Sequence, residues 1–265
     1  TLVVWLEPGT ITRFAREAPD LWAWRAAVLD FSHPPAQRAA VHEQAIFLGS
    51  AERRERERRL ADIAAHLQSV AGPAEPAGPD AELMLEASEI EQELGHPEAA
   101  MAHAEAARAI FRRIDDRRGE AWAASRIADI LQARGQLDEG LRIRLEEELP
   151  VYERLGDVRE KAVTHFQIAS LRLARNEQQS EEGRLAIFAS LRQAYDIALQ
   201  MRIPDGISAV GPLLAQFLAR GQAFAPALQV LARVDEACAV LGDEDGRQRA
   251  ADLRQQIEAM QGGQA

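Results

Sequence analysis

The 265 residues suit one elongated repeat domain or two compact ones. Apolar residues make up 47% and charged residues 28%, enough to bury a core and stay in solution. The net charge of −11 argues against non-specific nucleic-acid binding, which needs clustered cations for the phosphates.

Ala, Leu, Arg and Glu dominate, and all four favour helix. Lys161 is the only lysine, which reads as coding bias rather than function. Cys238 stands alone, so no internal disulfide forms and a reducing, cytoplasmic setting is expected. No apolar run reaches the ~18 residues of a membrane span, and no signal peptide is visible. No initiator Met is present, so the chain reads as a piece of something longer.

Residues 1–49 differ from the rest. Leu2–Leu6 is a β-branched and aromatic run ended by Glu7-Pro8-Gly9, the pattern of a buried strand. Thr10 caps an expected helix, Ile11–Ala18, and a second strand is expected near Val28–Phe31. Strand, helix, strand is a piece of a parallel α/β layer, and two strands make no stable sheet alone. The expectation is a small α/β remnant whose front half lies elsewhere, the alternative a lid on the first helices. A short helix is expected over 36–48. A long one starts at Ser50 as N-cap, with a solvated charged face over Glu52–Arg59 and a buried stripe of Leu60, Ile63, Ala64 and Leu67. The prolines and glycines of 71–79 mark a linker. The domain reading is therefore 1–70, an α/β fragment with connecting helices; 71–79, linker; and 80–261, helical repeats.

The repeats show in a recurring phrase. Ile127-Ala128-Asp129-Ile130 precedes Ala133-Arg134-Gly135. About forty residues on, Ile168-Ala169-Ser170-Leu171 precedes Ala174-Arg175-Asn176. Leu213-Leu214-Ala215 leads to Ala219-Arg220-Gly221. Four helical hairpins are expected: 80–94 with 97–114, 118–134 with 137–154, 158–174 with 181–201, and 207–220 with 223–241. Helix 244–260 caps the end, its polar face carrying Arg247, Arg249, Arg254, Gln255 and Glu258. Gly95, Gly135 and Gly221 are expected to take the left-handed conformation at the turns. Ala128 and Ala169 let helices approach. Ile127, Leu131, Leu141, Leu145, Ile168 and Phe217 fill the gaps.

Ile127-Ala128 with Leu131, Gly135 before Leu137, and Gly140-Leu141 resemble the tetratricopeptide repeat (TPR) family. Ile168-Ala169, Leu213-Leu214 with Phe217 and Gly221, Ala100-Met101 and Ala227-Leu228 repeat the match. The resemblance covers about 80–260. It departs from the family in spacing, which is forty or more rather than the usual ~34. Arg144 and Glu147 also stand where the family prefers an aromatic and an Ala. The long hairpins, and more loosely residues 1–32, resemble the repeats and junction attached to bacterial signalling ATPases of the STAND type. No phosphate-binding G-x-x-x-x-G-K-[ST] is present.

The resemblance implies an all-α, right-handed superhelical array of antiparallel hairpins behind the α/β remnant. It also implies a concave groove lined by the first helix of each hairpin. Mapped by the repeat, that groove holds Glu82, Glu89, Gln92, Trp122, Ser125, Asp129, Gln132, Phe166 and Ser170. Trp122 and Phe166 are either anchors for a bound peptide or packed between hairpins. The functional expectation is a non-catalytic module that binds a protein or peptide, the sensor or scaffold part of a larger bacterial signalling protein. The expected setting holds no cofactor, nucleic acid or membrane, and places an ATPase domain upstream.

One alternative is a free-standing adaptor; another is an enzyme built in the groove around Asp129 and His165. No H-E-x-x-H or G-x-S-x-G occurs, and no paired acid and base has motif spacing. His96 and His103 could share a face, but no third ligand stands near them. Cys238 reads as a small core residue, at helical spacing with Val234 and Leu241.

Overall fold

The computed structural model describes residues 49–70 and 77–262. The expected α/β remnant, the short helix over 36–48 and most of the linker lie outside the described residues. The described chain is all helix and divides into two compact units at Gln136/Leu137.

The first unit contains α1 (Ser50–Val70), α2 (Gly78–Glu93), α3 (Pro97–Arg113) and α4 (Arg117–Ala133). Helices α2 and α3 form a tight hairpin, α4 packs on both, and α1 lies along α2. Alanine sets the spacing: Ala81, Ala87, Ala100, Ala104, Ala107, Ala123 and Ala128 are each wholly buried. Larger side chains fill what remains, with Ile63 of α1 against Ala87, Ile90 and Leu94. Full burial of a side chain such as Ile63 stabilises by about 1.5–3 kcal/mol. Ala64, expected in that stripe, is exposed.

Gly49, rather than Ser50, occupies the cap of α1. Its carbonyl accepts from Arg53 N at 2.9 Å, and its N–H donates to the Glu52 carboxylate at 3.0 Å. The charged start of α1 also does more than face solvent. Arg56 reaches Glu93 of α2 at 2.6 Å, and Arg59 binds both oxygens of Glu86 at 2.5 and 2.7 Å.

The second unit contains α5 (Leu137–Ile143), a π-turn (Arg144–Glu148), α6 (Leu149–Leu155), α7 (Val158–Ala174), α8 (Glu181–Gln200), α9 (Pro204–Arg220), α10 (Phe224–Leu241) and α11 (Glu244–Gly262). Helices α7 and α8, then α9 and α10, pair as hairpins, and α11 packs on α10. One core runs from Ala169 through Leu191, Leu214 and Leu231 to Ala250 and Ile257 of α11, so α11 closes its apolar end. A smaller cluster joins Leu141, Ile168 and Leu171. Leu145 and Leu241, expected inside, are exposed.

The expected single helix over 137–154 is interrupted by the π-turn. Pro150 has no N–H to offer the fourth carbonyl back. Leu149 N–H instead reaches five residues back, to Arg144 O, and the extra residue is absorbed there.

The reversals explain the long repeat. Left-handed residues recur roughly every twenty positions, at Gly95, Asp115, Gly135, Gly156 and Asn176, then at Arg202, Gln222 and Gly242. At Gly95, for example, Gly95 N bonds Gln92 O at 3.0 Å and His96 N bonds Glu91 O at 2.8 Å, sealing the helix end. Gly221 departs from expectation: its φ is −81°, and Gln222 next to it takes +60°. Several reversals then hand over to a polar N-cap: Asp116, Asp157 and Ser180 accept from Gly119, Glu160 and Gly183 N respectively.

Candidate functional site

Helix α2 puts Glu82, Glu86 and Glu89 at i, i+4 and i+7, one face of the helix. Helix α4 puts Trp122 and Arg126 at i, i+4. These two faces line a groove of about 630 Å³ in the first unit. His66 of α1 and Pro79 at the start of α2 also line it, and Leu83 and Leu85 add apolar surface. The volume lies within the ~300–1,000 Å³ range of ligand clefts.

Most charges in this groove already have partners. The Arg59 guanidinium beside Glu86 holds that carboxyl below its usual range, chiefly through the paired hydrogen bonds. Arg126 donates to Gln92 at 2.7 Å and lies 3.8 Å from Asp129. His66 Nε2 lies 3.4 Å from Asp80. Glu82 and Glu89 are exposed and make no ion pair with a described residue. The Trp122 side chain is 47% exposed, so much of its ring faces the groove or solvent.

Of the residues mapped from sequence, Glu82, Glu89 and Trp122 line this groove together. Gln92 is buried beneath Arg126, so its amide serves that guanidinium. Ser125, Asp129 and Gln132 are half-buried on α4. Phe166 and Ser170 belong to the second unit. There Phe166 packs on the core, and Ser170 Oγ donates to Phe166 O at 3.0 Å. Sequence mapping missed His66, Glu86 and Arg126. The i, i+4, i+7 run of glutamates and the Trp122/Arg126 spacing were a usable signal for two of them. Nothing in the sequence brings His66 across from α1.

Of the groups weighed for other chemistry, Asp129 falls in the first unit and His165 in the second. His165 is buried, and burial with the Lys161 charge nearby pushes its pKa below the ordinary histidine value. Cys238 is buried in the core of the second unit. His96 Nδ1 sits 2.7 Å from Glu91. Among the described residues no three His, Cys, Asp or Glu side chains are grouped to hold a metal ion. No described helix is long and apolar enough to cross a membrane.

The fold is that of TPR-like helical repeats. The chain is similar to TPR-like repeats of a kinesin light chain-like protein from Podosopora anserina: 16% identity, 72% of this chain and 99% of that one, TM-score 0.50. It is also similar to a Rap protein complexed with Competence and Sporulation Factor: 12% identity, 84% of this chain and 67% of that one, TM-score 0.55. No family model and no curated protein matches the sequence.

Proposed function

We propose that this chain is a non-catalytic module that recognises a protein or peptide. The observation that carries the reading is the groove between α2 and α4, where Trp122 stands half exposed beside apolar and charged side chains. Exposed tryptophans with a polar surround are what peptide clefts use as anchors. The similarity to a Rap protein complexed with Competence and Sporulation Factor supports the same reading. In this proposal the module serves as sensor or scaffold in a larger bacterial signalling protein, with residues 1–70 joining it to an ATPase domain upstream. Residues 71–79 are its linker and 80–261 its repeats.

The test is selection from a random peptide library on the full chain, followed by binding measurements on Trp122→Ala. Selected peptides should lose at least about fivefold in affinity, the scale of a modest interface anchor. Peptides that bind Trp122→Ala as well as the parent would refute the choice of groove.

A further inference from the structure

We infer that the groove takes a cationic peptide segment, with two basic side chains three positions apart in an extended chain. This rests on the peptide-binding reading above and names the chemistry of its partner. The lining has three glutamates, one arginine and one histidine that matter to its charge. Glu86 is neutralised by Arg59, and Arg126 is held by Gln92 with Asp129 nearby. His66 faces Asp80. What remains unbalanced is Glu82 and Glu89, both negative, both exposed and neither ion-paired among the described residues. A carboxylate groove repels an acidic peptide and attracts a basic one.

The exposed Trp122 ring supplies the second element. An indole face attracts Arg or Lys cations within about 6 Å of its centre. Arg suits the site better than Lys, since its planar head stacks on a ring while donating to a carboxylate. Spacing supplies the third. Glu82 and Glu89 stand seven residues apart on one helix, about 10.5 Å along its axis. A polyproline-type chain brings residues i and i+3 to the same side about 9 Å apart, close to that separation.

The experiment uses the full chain and a fluorescein-labelled peptide containing Arg-Pro-Pro-Arg, read by anisotropy at low salt. A Glu-Pro-Pro-Glu peptide is the comparison. The arginine peptide should bind at least about tenfold more tightly, with affinity falling as salt rises. Glu82→Gln and Glu89→Gln should each weaken it about two- to fivefold, the range for exposed charge pairs. Trp122→Leu should weaken it by a similar factor. Glu181→Gln, an exposed acid on α8, should leave it unchanged. Circular dichroism of each variant checks folding, which these exposed side chains should not alter.

Equal loss from Glu181→Gln would mean that net charge alone attracts the peptide, and overturns the inference. So would a preference for the glutamate peptide, or a dimer dispersed by Glu82→Gln and Glu89→Gln, which would seat a second copy in the groove. If library-selected neutral peptides bind through Trp122 while the arginine peptide does not, this inference falls and peptide recognition stands. If no peptide binds at all, both fall.

Discussion

The buried pair Arg144–Glu148 offers the sharpest test of the packing in the second unit. Both side chains are essentially wholly buried, and Arg144 Nη1 donates to Glu148 Oε2 at 3.0 Å. The same nitrogen donates to Gln167 Oε1 at 2.6 Å, and Thr164 Oγ1 donates to Glu148 Oε1 at 2.8 Å. Glu148→Ala takes a buried counter-charge from the Arg144 guanidinium, and breaking such a pair costs about 3–5 kcal/mol in comparable sites. Replacing both, as Arg144→Met with Glu148→Leu, removes both buried charges and should cost no more than about 1–2 kcal/mol. The chain's two tyrosines, Tyr152 and Tyr195, are buried in this unit, so tyrosine absorbance during urea unfolding follows it selectively. Glu148→Ala should lower the midpoint by at least about 1 M urea, given slopes of about 1–3 kcal/mol per M. The double variant should recover most of that. A single variant costing under about 1 kcal/mol, or a double variant as damaged as the single, would refute the argument that loss of a buried counter-charge sets the penalty.

Gly119→Ala drives a Cβ into the ring of buried Phe111. Overpacking of about 1–3 kcal/mol should outweigh the gain of up to about 1 kcal/mol in helix propensity, and thermal unfolding should show a lower midpoint. His165 has a depressed pKa in the fold, from burial first and Lys161 second. The unfolded chain therefore takes up its proton first. Its contribution is complete above the ordinary histidine value, about 6.5, and is lost as pH falls below it. Chemical denaturation at about pH 7 and pH 5 should show a smaller loss for His165→Phe than for the parent. Cys238 is 1% exposed and burial raises its thiol pKa, so a thiol reagent should label it only on unfolding. Rapid labelling of the native chain would contradict its place in the core.

Most of the helices were legible because they are long, apolar on a helical period and closed by a local signal. Gly95, Gly135, Gly156 and Gly242 reverse the chain as such residues should. Less legible were reversals at Asp115, Arg202 and Gln222, where side chains that seldom adopt positive φ are held there by capping hydrogen bonds. Arg144 was legible only as a departure from the family pattern. Its partners lie four residues away on the same helical stretch and across on α7, and the second contact is tertiary. The groove was half legible for the same reason. Glu82, Glu89 and Trp122 follow from repeat position, whereas Gln92 turns inward because Arg126 supplies a partner there. The pairing of Arg56 and Arg59 with α2 could not be told from a solvated charge run.

That pairing bears on how the groove opens. Helix α1 has Ile63 as its one buried side chain among those described, and its ion pairs to α2 from Arg56 and Arg59 are partly exposed charges that salt screens. Of the four described helices of the first unit, α1 is therefore the least costly to detach. Hydrogen exchange should find its amides the earliest to lose protection as ionic strength rises. Since α1 carries His66, the same departure would take that side chain out of the groove lining without unfolding α2 or α4.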